Sequence, residues 1–386
     1  MLRISRLLKE LYFPGPRSRN CPRSGLVVIW NLTNQCNLAC PHCYAHVESE
    51  GLADELSTEE AKSVIDDLAH QQVLVLILSG GEPILRSDLY ELAAHAREKG
   101  IICALSTNGT LIDKRHLKNI LRSGISYVGI SIDGTRERHD QFRGRSGAYE
   151  SSLKAIRLCR DDGIKVGLRA SLTSYTNSEL PQIFDLFENE KLSKLYISHM
   201  NYAHKAGSEM ALEPIETRRS MRLVVKKATE YLKDGSFFRE IVTGNSDADG
   251  PFLFLSLKRQ HPGLAKTLYE RLMQNGGNAS GGRLANIDPW GEVHPDPFSR
   301  HIRLGNVRRR PFSQIWNKCG DPLVVSLRQR KTPFKGRCGK CGFVGICGGN
   351  SRARAFAHCD DWWGSDPLCY LSDEEIGMRP LGFAQK

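Results

Sequence analysis

The sequence predicts an α/β protein: a partial (β/α)6 barrel followed by a small C-terminal α+β domain. Three observations lead there. From Leu26 to His199, six short β-branched runs alternate with longer amphipathic stretches, the pattern of parallel strands joined by right-handed helical crossovers. Polar or glycine-rich segments follow the first four runs, as expected where strand C-terminal ends converge on one mouth. Past a glycine cluster at Gly276–Gly282 the texture changes to a hairpin and a cysteine-rich tail.

The elements follow in order. Strands are expected at Leu26–Trp30, Val73–Ser79, Ile101–Ser106, Tyr127–Ile132, Ile164–Ser171 and Lys194–His199. Between them, Ser57–Gln71 reads as a helix opened by a capping box, with Glu60 three residues past Ser57. Ser87–Lys99, Asp113–Ser123, Ala148–Asp162 and Asn177–Glu190 have the same helical period, the last with Pro181 in its first turns. The repeat is expected to stop after His199. Helices at Glu216–Leu232 and Leu257–Gln274 then flank a loop, Thr243–Gly250, and a turn at Pro289-Trp290-Gly291 joins the two arms of the hairpin. The expected organisation is an N-terminal segment (1–24), the barrel (25–234), a bridge (235–282) and the C-terminal domain (283–386).

Composition narrows the class. The 386 residues are 40% apolar and 25% charged, ordinary for a globular chain with a sizeable core. No run approaches the ~20 apolar residues of a membrane span. The basic start (Arg3, Arg6, Lys9) lacks the apolar stretch of a signal peptide, so a cytoplasmic location with no membrane partner is expected. The net charge of +11 admits an RNA or a small polyanion as partner. No nucleic-acid motif accompanies the basic runs at Arg300–Arg310, Arg328–Lys331 and Arg352–Arg354, so no nucleic acid is expected.

The twelve cysteines are the informative count. A disulfide framework is not expected in a cytosolic chain, and grouped cysteines point to metal or redox chemistry. Cys36-x3-Cys40-x2-Cys43 offers three thiolates from one loop. A 4Fe–4S cluster normally takes four, so three leave one iron open. A structural zinc, completed by His42 or His46, is the competing reading. Cys338-x2-Cys341-x5-Cys347, with Cys369 beyond, offers four more thiolates, and there too a zinc ribbon competes. Cys359 is an alternative fourth ligand. Cys21, Cys103, Cys159 and Cys319 stand alone and read mainly as small core residues.

The first loop, with Tyr44 after its third cysteine and Ser79-Gly80-Gly81-Glu82-Pro83 ending strand two, resembles the signature of the radical S-adenosylmethionine (SAM) superfamily. That resemblance implies a TIM-like partial barrel. It implies a 4Fe–4S cluster on Cys36, Cys40 and Cys43, whose open iron chelates SAM. Gly80 and Gly81 would let the backbone approach the ligand, and Glu82 would hold its ammonium. Ser131 falls where the family contacts the ribose, with Asn108 and Arg143 as further candidates. An electron then splits the sulfonium and yields a 5′-deoxyadenosyl radical.

The tail resembles the SPASM/twitch domains attached to such barrels, which hold auxiliary 4Fe–4S clusters. That implies a small α+β Fe–S domain with a second cluster on Cys338, Cys341, Cys347 and Cys369. The fuller pattern has a cysteine after a Gly-x-Val-x-Pro hairpin and another four residues past the third tail cysteine. Here those positions are Asp296 and Ser351, so one auxiliary cluster is expected, not two.

Further segments, among them Met1–Ser5, Ser198–Tyr202, Val242–Asn245 and Asp366–Ser372, resemble the haem d1 biosynthesis enzymes of the same superfamily, the NirJ family. The implied substrate is a modified sirohaem, 12,18-didecarboxysirohaem, losing two propionate side chains with the help of a low-potential electron donor. His199, Asn201 and Tyr202, ending strand six, are candidates for substrate contact, with packing of the barrel rim as the competing role. The alternatives are a related haem synthase acting on iron-coproporphyrin, a peptide maturase, or a zinc-stabilised RNA-binding protein.

Overall fold

The computed structural model describes residues 1–14, 25–45, 54–202, 205–236 and 238–377. One eleven-stranded sheet runs through the chain. Its strands are β1 (Leu2–Arg3), β2 (Val27–Asn31), β3 (Val75–Ser79), β4 (Ile102–Thr107), β5 (Tyr127–Ser131), β6 (Val166–Leu172), β7 (Lys194–His199), β8 (Glu240–Gly244), β9 (Leu284–Ile287), β10 (Glu292–His294) and β11 (Gly305–Asn306). The spatial order is β1-β8-β7-β6-β5-β4-β3-β2-β9-β10-β11. Strands β2 to β8 and β9 are parallel, while β1, β10 and β11 pair antiparallel at the two ends.

The α/β class and all six expected strands are present. Several features depart from the sequence reading: helices Ile4–Tyr12 and Arg136–Arg143 lie outside the expected set, and the expected helix Leu257–Gln274 is two, Asp249–Gln260 and Pro262–Asn275, parted where Pro262 removes a backbone donor. The repeat does not stop at His199: β8 adds another parallel strand beside β7, on residues expected to open a loop. The hairpin is also not separate from the barrel. Strand β9 pairs in parallel with β2, from Val27↔Leu284 to Trp30↔Ile287, so the sheet crosses the expected boundary at 283. Among the described residues no pairing joins the two ends of the sheet, which stays an open, partial barrel.

Alternation along the strands sorts the two faces. Val28, Trp30, Leu76, Leu78, Leu105, Val128, Ile130, Leu168, Leu195 and Ile197 are buried toward the helices. Helix α1 (Ile4–Tyr12) covers the N-terminal end of the chain, and the crossover helices α2 (Thr58–His70), α3 (Leu89–Glu98), α4 (Lys114–Ser123), α5 (Arg136–Arg143), α6 (Ala148–Asp161) and α7 (Leu180–Asn189) follow. They return Ile65, Leu68, Leu92, Ile120, Ile156, Phe184 and Phe187 to the same core. Each such side chain contributes about 1.5–3 kcal/mol of burial free energy. The capping box on α2 is formed: Ser57 Oγ accepts from Glu60 N at 3.2 Å, and Glu60 Oε2 accepts from Ser57 N at 2.8 Å. Cys103 and Cys159 lie in this core, while Cys21 falls outside the described residues.

The inner face differs in chemistry. Register places Asn31, Ser79, Ser106, Ser131, Ser171 and Ser198 on it, each at or near a strand's C-terminal end. A run of small hydroxyls therefore rims the mouth that the loops enter. Among the described residues no helix is long and apolar enough to cross a membrane.

Candidate functional site

The first cysteine loop is zipped to the end of β3. Leu32 N donates to Ser79 O at 2.8 Å, Gly81 N to Thr33 O at 2.8 Å, and Glu82 N to Gln35 O at 2.7 Å. This explains the glycines. A Cβ on Gly81 would lie 2.1 Å from Gln35 O, and one on Gly80, whose φ is +151°, would lie 2.6 Å from Thr33 O. The close approach they permit is to the protein's own cysteine loop, where the sequence reading assigned it to the ligand.

Cys36, Cys40 and Cys43 are half-buried free thiols on that loop. Burial pushes Cys36 up to about 11, and the nearby Glu82, Cys40 and Cys43 push the same way. Burial also raises Cys40, against the pull of Arg143. The raised Cys36 and Cys40 thiols, with Cys43 beside them, form a donor set that a cation relieves. No three His, Cys, Asp or Glu side chains among the described residues converge tightly enough for a single ion. His42, which the competing zinc reading would use, is stacked on Phe142 at 4.1 Å and kept neutral, its pKa pushed down to about 4 by burial and by Arg143. His46 lies outside the described residues.

Glu82 is fully buried. Its carboxylate accepts from Thr107 Oγ1 at 2.7 Å, Asn108 N at 2.8 Å and Ile84 N at 3.2 Å. Burial still dominates and lifts the pKa to about 7. Asn108 braces the cysteine loop: its Nδ2 donates to Asn37 Oδ1 at 2.9 Å, and Asn37 Nδ2 donates to Thr110 Oγ1 at 2.8 Å. Tyr44 accepts from Asn31 Nδ2 at 3.1 Å, and its ring lies 5.2 Å from that of Phe298. Ser131 ends β5 on the inner face, half-buried.

Arg143 sits beneath the loop. It pairs with the buried Asp133, and its Nη1 lies 3.8 Å from Cys40 Sγ. Burial alone would raise the Asp133 pKa, but Arg143, His42, His139 and the Ser171 N–H outweigh it and hold the carboxyl below its ordinary value. Arg143 is thus committed to Asp133 and the cysteine loop. Asp133, Asn37 and Thr110 were not singled out in the sequence, because nothing local marks their partners.

The tail cysteines also come together. Cys338, Cys341, Cys347 and Cys369 line one pocket with Pro251 and Phe343. Burial raises the Cys347 thiol well above its ordinary value, and Asp247, Cys369, Cys338 and Cys341 add to that. Cys359 is exposed and placed elsewhere, its Sγ 3.2 Å from Ala355 O. The two departures from the fuller cysteine pattern have structural work of their own. Asp296 closes a turn, accepting from Phe298 N, Ser299 N and Ser299 Oγ at 2.8, 3.0 and 2.9 Å. Ser351 caps the helix Arg352–Cys359 through Arg354 N.

His199, Asn201 and Tyr202 are buried at the junction of the two halves. His199 Nε2 lies 3.0 Å from Asp249 Oδ2, and Tyr370 Oη donates to Asp249 Oδ1 at 2.7 Å. Asn201 Oδ1 accepts from Ser351 Oγ at 3.0 Å. His199 and Asn201 thus meet Asp249 and Ser351, where β7 ends against the residues that follow it. The basic runs turn inward only in part, with Arg303, Arg308, Arg309, Arg310, Arg330 and Lys331 exposed. Arg354 is fully buried on Asp366, Arg308 pairs with Glu60, and Arg328 stacks on Trp316.

Residues 30–187 match the Radical SAM superfamily. The chain is 44% identical over 91% of its length to the Fe-coproporphyrin III synthase of Methanosarcina barkeri, covering 89% of that protein. It is 42% identical over 98% of its length to the Pre-heme d1 synthase of Dinoroseobacter shibae, covering 94% of it. An AdoMet-dependent heme synthase of Nitratidesulfovibrio vulgaris is 32% identical over 89% of this chain and 91% of its own. Among solved structures, Streptococcus suis SuiB bound to S-adenosylmethionine aligns with a TM-score of 0.70 at 17% identity, over 90% of this chain and 77% of that one. The structure of anSMEcpe with bound AdoMet aligns at 0.68 and 20%, over 91% and 95%; these two likenesses bear on the fold alone. The chain belongs to the radical SAM superfamily and is an enzyme of that class, built to use SAM with a 4Fe–4S cluster. Within the class it is homologous to haem synthases.

Proposed function

We propose that this enzyme removes two propionate side chains from 12,18-didecarboxysirohaem, a step toward haem d1, in the cytoplasm and with a low-potential electron donor. The observation that carries the reading is the likeness to a pre-haem d1 synthase, which runs through both halves of the chain at 42% over 98% of its length.

In this reading Cys36, Cys40 and Cys43 hold the first cluster, and their donor chemistry fits it. When bound, cluster and SAM supply a 5′-deoxyadenosyl radical able to take hydrogen from a propionate C–H bond. The chain's own residues orient the reactants. Gly80 and Gly81 fix the cysteine loop against β3, and Asn108 braces it from β4. Arg143 favours the thiolate of Cys40 through a charge-assisted contact. Ser131 and Tyr44 stand at the rim where SAM would lie, and the buried Glu82 is the proposed partner of its ammonium.

Cys338, Cys341, Cys347 and Cys369 are proposed to hold one auxiliary 4Fe–4S cluster, which passes an electron or docks the substrate. Cys347→Ala tests this: iron should fall from about eight to about four per chain, while reductive SAM cleavage persists. Unchanged iron would remove the second cluster from the proposal.

A second reading, formation of iron-coproporphyrin III, is favoured by the 44% identity to the Methanosarcina barkeri synthase. Anaerobic incubation with SAM, dithionite and 12,18-didecarboxysirohaem, followed by mass analysis, separates the two. Loss of two propionate side chains supports the first reading, and a product matching iron-coproporphyrin III moves the enzyme to the second. Recovery of the starting mass, with SAM cleaved, overturns both.

A further inference from the structure

Arg300 is unusual among the arginines of this chain. Its Nη1 donates to Ala45 O at 3.0 Å, two residues past Cys43. Its Nε and Nη2 are buried and have no partner among the described residues. Arg143, Arg239, Arg328 and Arg352 each leave one buried nitrogen unpaired, whereas Arg300 leaves two. Buried charged donors are costly to leave unsatisfied, so an unpaired pair is a place where a ligand's acceptors are missing. Nε and Nη2 form one edge of the planar guanidinium, and that edge matches the two oxygens of a carboxylate.

The setting supports the same ligand. Two residues before Arg300, Phe298 packs against Tyr44 on the cysteine loop, so the guanidinium stands between the C-terminal hairpin and the first cysteine group. The next residue, His301, stacks on Phe356 at 5.0 Å and on Trp362 at 4.7 Å, with Phe356 and Trp362 4.3 Å apart and all three planes within 16°. These rings form a partly exposed aromatic stack that begins at the residue next to Arg300.

We propose that Arg300 is a substrate-binding residue that takes one propionate carboxylate of the tetrapyrrole bidentately through Nε and Nη2. The surface of His301, Phe356 and Trp362 flanks the macrocycle. The proposal rests on the tetrapyrrole reading above.

The test is an anaerobic absorbance titration of the reconstituted enzyme with iron-coproporphyrin III, which carries four propionates, and with its tetramethyl ester. Wild type should bind the acid at least ~10-fold tighter than the ester. Arg300→Gln should weaken the acid roughly 10- to 100-fold, the range of a charge-assisted hydrogen bond, and leave the ester unchanged. Arg300→Lys keeps charge and stem but loses the fork, and should weaken the acid by about 10-fold. Iron content and SAM binding serve as fold controls; if Arg300→Gln fails them, the lysine variant decides alone. Unchanged acid binding, or equal weakening of acid and ester, overturns the assignment and leaves the tetrapyrrole reading intact. Failure of wild type to bind either porphyrin overturns this proposal, while the tetrapyrrole reading stands or falls on the turnover of 12,18-didecarboxysirohaem.

Discussion

At Glu82 a carboxylate with three hydrogen-bond donors is nevertheless hard to ionise, because burial outweighs the donors and lifts its pKa from 4.5 to about 7. A folded-state value above the unfolded one means the folded chain holds the proton more tightly. Its contribution to stability is therefore full below pH 4.5 and is lost as the pH rises to about 7. In the cofactor-free protein, Glu82→Gln should flatten the fall in melting temperature across that window, as differential scanning fluorimetry at stepped pH would read. The same variant should weaken SAM at least ~10-fold by calorimetry, since an ammonium then loses its charged partner. A pH profile identical to wild type would refute the assigned protonation. At this scale the sequence was legible where chemistry is local. Three cysteines within eight residues and a Gly-Gly-Glu triplet mark themselves. Arg300 and Asp133 do not, because their meaning lies in Ala45 and Arg143, positions that only the fold brings near.

The element that matters most is the joint between the cysteine loop and the end of β3. Three backbone hydrogen bonds hold it, and Gly81 leaves no room for a side chain. Gly81→Ala should push the loop off β3 at a local cost of roughly 1–3 kcal/mol, while the helices, which pack on the other face, keep the fold. The expected result is loss of about half the iron and at least ~10-fold of SAM cleavage, with an unchanged far-ultraviolet circular dichroism spectrum. Full iron retention would show that the loop tolerates the methyl group. Period and capping made β2 to β7 and the helices between them legible, except α5, a short and strongly charged segment. Strand β8 was missed because Glu240–Gly244 is short and runs into a polar, glycine-bearing segment. Its strand state is imposed by pairing with β7 and β1, a tertiary effect that no local pattern carries.

Over the whole molecule, the two halves that composition separates share one sheet and are tied by one buried arginine. Strand β9 extends the barrel at β2, and Asn286 Nδ2 donates to Ile29 O and Asn31 Oδ1 at 2.8 and 2.6 Å. From the tail, Arg354 and Asp366 form a pair with no exposed surface. Arg354 Nη1 also donates to Met200 O and Asn245 O of the barrel, at 2.8 and 2.7 Å. Removing one partner of such a pair leaves an uncompensated buried charge, at about 3–5 kcal/mol. Because the arginine ties both halves, that cost should fall on the whole chain. Arg354→Ala should lower one common unfolding midpoint, with near-ultraviolet dichroism and tryptophan fluorescence still moving together. Replacing both partners, Arg354→Met with Asp366→Leu, should recover much of the loss, since no buried charge is then stranded. A tail that melts first while the barrel midpoint stays at the wild-type value would contradict the shared core. It would restore the boundary near residue 283 that the sequence suggested.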